Sequence, residues 1–336
     1  MKTEHPFARY VRTIARGPTL SRPLTEDEAR EATRMILAGK VEPLQLGAFL
    51  CVLRVRTEDP GEGAGFVRAV KETIRIPAGA AAPELDWSSY AGKKRQLPWF
   101  LLSALLLAAG GIRVFMHGSE GHTPGRIYSR AALAALGVPA ARSMDEAADH
   151  LAARSFAYLP LAQFCPRLQE LIELKPILGV RSPVNTFARI INPFDAPYSI
   201  QSIFHPNYRE IHREVSRLLG QRDMSVFKGE GGEVERRPTK SVVVQSLRAG
   251  AGVDEEWAAL MSEAPPAADE VMDLARLSAL WQGRLDDAHA LATVTGTAAV
   301  VLRLLGRAGS PAEADALARR MWEARPARLL AARAAA

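Results

Sequence analysis

Cysteine and long apolar runs are both scarce in this sequence. The 336 residues include two cysteines, Cys51 and Cys165, and their apolar neighbours are typical of reduced core positions rather than of a disulfide framework. The longest apolar run, residues 99–109, is shorter than the roughly 20 residues that cross a bilayer, and no apolar signal segment opens the chain. We therefore expect a cytoplasmic protein without a membrane partner.

Internal repeats and long low-complexity segments are also absent, which argues against solenoid and disordered architectures. The chain is 48% hydrophobic and 24% charged, so it can bury a full core. Lys and Arg number 43 against 37 Asp and Glu, a formal net charge of +6. A basic surface attracts phosphate backbones of any sequence, but an arginine-rich composition can produce the same excess without a partner.

The N-terminal part, residues 1–76, has helical patterning. Thr25 is followed three residues later by Glu28, which predicts a capping box at a helix start, and two apolar helices are predicted over residues 43–55 and 61–73. We interpret residues 1–76 as a helical dimerisation domain to which a helix near 166–176 returns. Such a bundle buries its apolar faces against other helices, including those of a second subunit.

An Ala-, Gly- and Pro-rich linker after Ile76 leads into a different pattern over residues 77–336. Strands are predicted at 112–116, 156–159, 223–228 and 240–247, and helices at 130–136, 143–153 and 206–219. This alternation predicts βαβ units and a mostly parallel sheet. The predicted fold class is therefore α/β, with a small N-terminal helical domain and a larger, mostly parallel α/β domain.

Residues 86–138 have the order of a phosphate-binding unit: loop, buried helix, Gly-Gly turn, short strand, Gly- and His-rich loop, and helix. Loops of this kind bind anions through backbone N–H groups and a helix N-terminus. Glycines are sparse in the first loop, where Lys93, Lys94 and Arg95 stand in a row. This loop is predicted to attract phosphate by side-chain charge. Tyr90 and Trp99 flank the run, either as stacking platforms or as core residues.

The segments GIRVFMHG, AALAALGV, LGVRSPVNTFARIINPF and SVFKGEGGEVE resemble the anthranilate phosphoribosyltransferase family, glycosyltransferase family 3, whose wider class includes pyrimidine nucleoside phosphorylases. The resemblance covers nearly the whole chain. It implies a helical domain that forms a homodimer, a larger phosphoribosyltransferase-like α/β domain, and an active site in the cleft between them.

The loops that bind phosphoribosyl pyrophosphate in these enzymes are altered here. The family's GTGGD loop corresponds to SSYAG at 88–92, its Asn-x-Ser-Thr helix start to PWFL at 98–101, and its KHGNR motif to MHGSE at 116–120. Bulkier residues thus replace the glycine cradle. Losing such a cradle removes several kcal/mol of anion stabilisation by order of magnitude, so we assign no catalytic residue.

The family's metal and acceptor positions differ as well. The Asp-Glu pair that binds magnesium corresponds to Val234 and Glu235, and an arginine pair near the aromatic acid corresponds to Lys175 and Pro176. Glu235 is a weak candidate metal ligand, and magnesium is expected only if the protein is a transferase. Otherwise no cofactor is expected.

The runs DWSSYAGKKRQLPWFLL, VFMHGSEGHTPGR and GEGGEVERRP are similar to a divergent, YbiB-like branch of the family whose members bind nucleic acid. This similarity implies a homodimer that binds DNA or RNA with little sequence preference. Two alternatives stay open: a phosphoribosyltransferase that uses phosphoribosyl pyrophosphate with an altered acceptor, and a small-molecule sensor or partner-binding protein without chemistry.

The candidate nucleic-acid contacts form two groups. Arg209, Arg213 and Arg217 lie at i, i+4 and i+8 of a predicted helix, with Arg222 just beyond it; they form a ridge about 12 Å long at about 1.5 Å per residue. The second group is the run Lys93, Lys94 and Arg95. A solvated helix face, with Glu210 and Glu214 as partners, is the alternative for the ridge, and a solvated loop is the alternative for the run.

A further set of side chains is expected to line the cleft and contact an anion: His117, Gly118, His122, Arg126, Arg181 and Asn185. The two histidines have no cysteine or paired carboxylate at ligand spacing, which argues against a metal site. Asn185 is expected to brace the cleft by backbone hydrogen bonds. Residues 228–240 alternate in charge, which is typical of a solvated turn.

Overall fold

The N-terminal helices form as their capping signals predict. The computed structural model describes residues 3–17, 19–262 and 272–329. Residues 1–2, at the start of the predicted helical domain, and residues 330–336, at the end of the predicted α/β domain, lie outside the described residues, as do residues 18 and 263–271. The capping box of Thr25 and Glu28 is confirmed. The four helices are α1 Ala8–Ala15, α2 Glu26–Leu37, α3 Pro43–Arg56 and α4 Pro60–Lys71.

The remaining described residues build one seven-stranded sheet with helices on both faces. The strand order is β3-β2-β1-β4-β5-β6-β7; the pairs among the first five strands are parallel, and β6 and β7 add antiparallel pairs at one edge. The strands are β1 Leu85–Ser89, β2 Val114–Gly118, β3 Phe156–Pro160, β4 Tyr198–Ile203, β5 Asp223–Lys228, β6 Val242–Arg248 and β7 Ala251–Trp257.

The helices of this part alternate with the strands and then close the chain. They are α5 Phe100–Ala109, α6 Ser129–Ala135, α7 Met144–Arg154, α8 Leu161–Phe164, α9 Pro166–Glu173, α10 Lys175–Leu178, α11 Val184–Phe187, α12 Tyr208–Leu218, α13 Ala275–Trp281, α14 Ala288–Leu304 and α15 Pro311–Glu323. None of the helices in the described part of the chain has the length and apolar character needed to cross a membrane.

The sheet has a hydrophobic cluster on each face, because successive side chains of a strand point to opposite faces. Trp87 and Met116 pack with α5 and α14 in one cluster. Phe115 points to the opposite face and packs in a second cluster. That second cluster contains both Phe49 of α3 and Leu168 of α9, so α9 shares a core with the N-terminal helices.

Three strands were not predicted from the pattern. β1 was expected to be a loop, because Asp86, Ser88 and Ser89 are polar; all three are buried in the sheet. Asp86 compensates by accepting a hydrogen bond from Ser199 at 3.2 Å. β4 also carries buried polar residues, and β7 is an edge strand with mostly solvent-facing polar side chains. In each case polar composition hid the strand.

Candidate anion-binding and nucleic-acid site

The carboxyl ends of four parallel strands meet at one edge of the sheet. β1 ends at Ser89, β2 at Gly118, β4 at Ile203 and β5 at Lys228. The loops that follow them lie side by side, which is the usual position of a ligand site in a sheet of this kind. The candidate site is built from these loops.

The loop after β1 holds a carboxylate of the protein itself. The backbone N–H groups of Ala91 and Gly92 both donate to Glu233 Oε1 at 2.6 Å, and Glu233 is fully buried. Successive N–H groups of this kind form a nest that binds oxyanions. Glu233 therefore occupies the position at which this loop could hold a phosphate group.

The amino end of α5 is occupied in the same way. The Phe100 N–H donates to Glu235 Oε2 at 3.0 Å, and the Lys93 ammonium donates to the other oxygen of this carboxylate. Burial raises the pKa of Glu235, while Lys93 opposes that shift. Lys93 is only 2% exposed. The prediction that Lys93 contacts nucleic acid is wrong, because its ammonium compensates a buried carboxylate.

Glu235 does not fit the role of a magnesium ligand. Both of its oxygens accept hydrogen bonds from the protein, and the neighbouring Val234 is a buried apolar side chain. Within the described residues, no group of three or more His, Cys, Asp or Glu side chains could hold a metal ion. Magnesium needs several oxygen ligands in octahedral geometry. The residues here do not provide them.

The middle of the loop 228–240 faces inward, so the prediction of a solvated turn is wrong there. Besides the two glutamates, Arg236 is almost fully buried. Its guanidinium donates to Asp315 Oδ1 and to the Ala258 carbonyl oxygen, both at 2.7 Å. It also lies over the Trp257 ring at 4.8 Å. This internal pairing anchors the loop to β7 and α15.

His117 and Gly118 belong to the core and not to the cleft surface, which corrects their assignment as anion contacts. His117 is fully buried; its Nδ1 is hydrogen-bonded to Tyr90 Oη at 2.8 Å, and its Nε2 lies 3.3 Å from Asp86 Oδ1. A Cβ atom at Gly118 would lie 1.9 Å from the Ser89 carbonyl oxygen. Gly118 therefore permits the close approach of β2 to β1.

His122 braces the loop after β2. Its Nε2–H donates to the Tyr90 carbonyl oxygen at 2.8 Å. Burial lowers the pKa of His122 to about 4, and the neighbouring Arg181 and Arg189 act in the same direction. The ring is therefore neutral at pH 7. Its role is a hydrogen bond within the loop, and it adds no charge for an anion.

Arg126 and Arg189 bind backbone carbonyl oxygens. Arg126 Nη1 donates to the carbonyl oxygen of Ala91 at 2.9 Å, and Arg189 Nη1 donates to that of Gly232 at 2.8 Å. Neither makes an ion pair within 4 Å in the described part of the chain, although the carboxylate of Glu233 acts on Arg189 from nearby. These contacts hold the two guanidinium groups at the cleft. A carbonyl oxygen is neutral, so the contacts do not cancel the positive charge of either group.

Arg181 is a half-buried cation that has no hydrogen-bond or ion-pair partner among the described residues. Burial and the nearby Arg126 lower its pKa. It lines a cavity of about 120 Å³ together with Arg54, Arg189 and Asn185. Asn185 Nδ2 donates to the Ser182 carbonyl oxygen at 3.3 Å, as expected for a bracing residue. The cavity therefore carries an excess of positive charge.

The α12 ridge is largely neutralised by acids. Arg213 pairs with Glu210 at 2.6 Å and with Asp254 of β7 at 2.5 Å, and Arg217 pairs with Glu214 at 2.5 Å. The remaining ridge arginine, Arg209, donates to the Val243 carbonyl oxygen at 3.0 Å, while Arg222 beyond the helix is exposed. Arg213 and Arg217 thus match the paired, solvated face that the sequence left open as its alternative. Arg209 makes no ion pair within the described residues and lines a cavity with Lys228 and Lys240.

A second set of basic residues lines two adjoining cavities at the carboxyl edge of the sheet. One, of about 240 Å³, is lined by Arg95, Arg237 and Lys240 together with Glu230 and Glu235. The other, of about 230 Å³, is lined by Lys228, Arg237 and Lys240 together with Arg209. We call Arg95, Lys228, Arg237 and Lys240 the basic track. Arg237 pairs with Glu230, but the other three make no ion pair within the described residues. Lys94, beside Arg95, is exposed and also makes none.

Sequence reasoning found Arg95 of the track and missed its other members. Lys228, Arg237 and Lys240 were included in a loop interpreted as solvated because charges of both signs alternate there. In the structure Glu233 accepts backbone hydrogen bonds in the interior, and Glu235, although it lines the first cavity, is already paired with Lys93. These two acids therefore leave Arg95, Lys228 and Lys240 without an ion-pair partner among the described residues.

Comparisons with known proteins agree with this architecture. The helical bundle domain of a glycosyl transferase family matches residues 8–74, and the a/b domain of that family matches residues 100–324. The chain belongs to this glycosyl transferase family. The predicted fold, with a small helical domain and a larger, mostly parallel α/β domain, is therefore confirmed.

Two relatives illustrate the range of the family. The uncharacterized protein YbiB of Escherichia coli is 28% identical over 239 residues, 70% of this chain and 74% of YbiB. An anthranilate phosphoribosyltransferase of Thermus thermophilus is 31% identical over 211 residues, 62% of this chain and 64% of that enzyme. A crystal structure of anthranilate phosphoribosyltransferase (TrpD) from Thermus thermophilus matches over 95% of this chain and 94% of its own, with a TM-score of 0.79 and 25% identity.

Proposed function

We propose that this protein binds DNA or RNA with little sequence preference, through the basic track. The observation that carries the proposal is the set of cations without acid partners, Arg95, Lys228 and Lys240, along two adjoining cavities. A phosphate backbone supplies repeated negative charge that neutralises such a row without regard to base sequence. The similarity to the YbiB-like branch of the family supports the same function.

The occupied loops weigh against chemistry on a pyrophosphate. A pyrophosphate at the family's position would meet the carboxylate of Glu233, which already accepts two backbone hydrogen bonds. It would also meet Glu235 at the amino end of α5. Like charges at such short range repel, and burial strengthens the repulsion. The carboxylates of Glu233 and Glu235 therefore take the backbone hydrogen-bond donors that a pyrophosphate would need.

A phosphoribosyltransferase with an altered acceptor is the second candidate, and membership of the family is the observation that favours it. Relatives named anthranilate phosphoribosyltransferase match this chain over more than half of its length. Such an enzyme binds phosphoribosyl pyrophosphate with magnesium, and a ligand that binds only the folded state raises the melting temperature. The occupied loops predict no rise.

One titration distinguishes the two functions. Fluorescence anisotropy of labelled single- and double-stranded oligonucleotides is measured at about 50 and about 200 mM salt, with and without phosphoribosyl pyrophosphate and magnesium. Nucleic-acid binding predicts that the logarithm of the affinity falls linearly with the logarithm of the salt concentration, by on the order of 10³-fold in affinity or more over this range for six or more phosphate contacts. It also predicts no effect of the small molecule. Absence of binding at the lower salt concentration would refute the proposal.

We also propose that the protein is a homodimer through the helical domain. Leu44 and Val55 are 88% and 85% exposed, and their spacing of eleven residues puts them on one face of α3. Ile177 of the neighbouring α10 is 80% exposed. A second copy would cover these side chains, and the mass in solution tests this. We further propose that the protein binds nucleic acid in the cytoplasm, where thiols such as those of the free cysteines Cys51 and Cys165 stay reduced.

A further inference from the structure

Phe204 is an exposed aromatic ring directly after β4. It is 53% exposed, and it is the one aromatic residue among the exposed large hydrophobic side chains of the described chain. The aromatic residues that the sequence offered for stacking, Tyr90 and Trp99, are buried at 3% and 4% exposure. Phe204, at the carboxyl ends of the strands, is therefore accessible for stacking, whereas Tyr90 and Trp99 are not.

Phe204 lies between the two cationic regions of this edge. It lines the cavity that contains Arg54 and Arg181. Two residues further on, Pro206 lines the adjoining cavity with Lys228 and Lys240. Chain continuity therefore places the backbone of Phe204 within about 7 Å of Pro206, at the margin of the second group of cations.

The backbone and one neighbouring ring fix Phe204 in place. The His205 ring meets it edge to face, with centroids 4.9 Å apart and an interplanar angle of 82°. Gly232 lies near the base of the side chain, since a Cβ atom added there would lie 3.6 Å from Phe204 Cβ. An edge-to-face neighbour leaves ring area for a further planar group.

We propose that the nucleic acid bound here is single-stranded, with a base stacked on Phe204. Its flanking phosphates contact Arg181 on one side, and Lys228 and Lys240 on the other. This inference rests on the proposed function and adds the strand class. Bases in a duplex have both faces covered by neighbouring pairs, whereas an unpaired base offers a face to an aromatic ring between basic side chains. Charge complementarity and the exposed ring thus select a single strand.

The test compares the variants F204L and F204W, both at an exposed position. Leucine keeps apolar bulk but removes the ring, and tryptophan keeps a stacking surface. F204L is expected to weaken the binding of a single-stranded oligonucleotide by about 5- to 150-fold, the range of base–aromatic stacking. F204W is expected to stay within about threefold of the wild type, and duplex binding is expected to be equal in all three proteins.

Each other outcome overturns a defined statement. Equal single-strand affinity of F204L and the wild type refutes stacking on Phe204. An equal loss for single strand and duplex refutes the strand class. If the wild type binds neither oligonucleotide, the proposed function fails and this inference fails with it.

The contact between a flanking phosphate and Arg181 has its own test. R181Q should lower the salt slope of single-strand binding by about one. An unchanged slope would show that Arg181 does not contact a phosphate of the bound strand.

Discussion

The α12 ridge and the basic track carry similar numbers of cations but differ in how those charges are compensated. On the ridge, Arg213 and Arg217 each pair with at least one carboxylate within about 2.6 Å. On the track, Lys228 and Lys240 make no ion pair among the described residues. A phosphate that approaches Arg213 or Arg217 must displace an existing carboxylate, while one that approaches Lys228 or Lys240 need not. Uncompensated charge, and not the spacing of basic residues, is therefore our reason for proposing the track as the binding surface.

The same difference separates two adjacent lysines. Lys93 is buried against Glu235, and Lys94 is exposed without an ion pair in the described chain. Sequence alone treats them as equivalent. Their environments predict that Lys93 contributes to stability and Lys94 only to ligand binding.

The largest expected effect is therefore on folding. K93M leaves the Glu235 carboxylate buried without its cation, which costs about 3–5 kcal/mol. K94M removes an exposed cation and should change the free energy of unfolding by no more than about 0.5 kcal/mol. Urea unfolding of the two variants measures the difference. In a K93M/E235Q variant the buried charge is gone, so part of the lost stability should return. Equal destabilisation by K93M and K94M would contradict the buried pair.

A second, smaller effect compares the two basic surfaces directly. Replacing Arg95, Lys228 and Lys240 by Gln should weaken oligonucleotide binding on the order of 10- to 100-fold and lower the salt slope by roughly 2 to 3. The matched control is R213Q/R217Q, which removes cations that are already paired and should change affinity by less than about threefold. Anisotropy titrations at several salt concentrations measure both quantities. A larger loss for the ridge variant would reverse the assignment.

The sequence predicted the architecture better than the direction of its charged side chains. Helical capping at Thr25 and the βαβ alternation depend on neighbours in the chain, so local patterns indicate them. Lys93 meets a carboxylate 142 residues away, and Arg213 pairs with Asp254 on β7, a strand that the pattern did not indicate. Long-range partners decide which cations are free, and no local pattern encodes them.

The position of β1 shows the same limit for the site. Its polar residues resembled a loop, but Asp86 and Ser88 are buried at the centre of the sheet. With β1 in the sheet, His117 of the adjacent β2 is held in the core and only the following residues reach the cleft. The family resemblance supplied the correct fold. The altered residues place the carboxylates of Glu233 and Glu235 on the backbone N–H groups of Ala91 and Phe100.

The smallest expected effect tests whether Arg181 is uncompensated. Burial is the main reason why the pKa of His122 is about 4, and the charge of Arg181 lowers this pKa further. R181Q should therefore raise the pKa of His122, whereas R181K, which keeps the charge, should leave it unchanged. A histidine NMR titration measures the shift. A pKa that is equal in the two variants would show that the charge of Arg181 is already neutralised.

The sign of the accompanying pH dependence follows from the same shift. The pKa of His122 is about 4 in the folded protein and about 6.5 in an unfolded chain, so the unfolded state binds the proton more tightly. The neutral ring therefore contributes stability that is fully present above about pH 6.5 and is lost as the pH falls toward 4. A higher folded pKa in R181Q narrows this window, so that variant should lose less stability than R181K between pH 7 and pH 4.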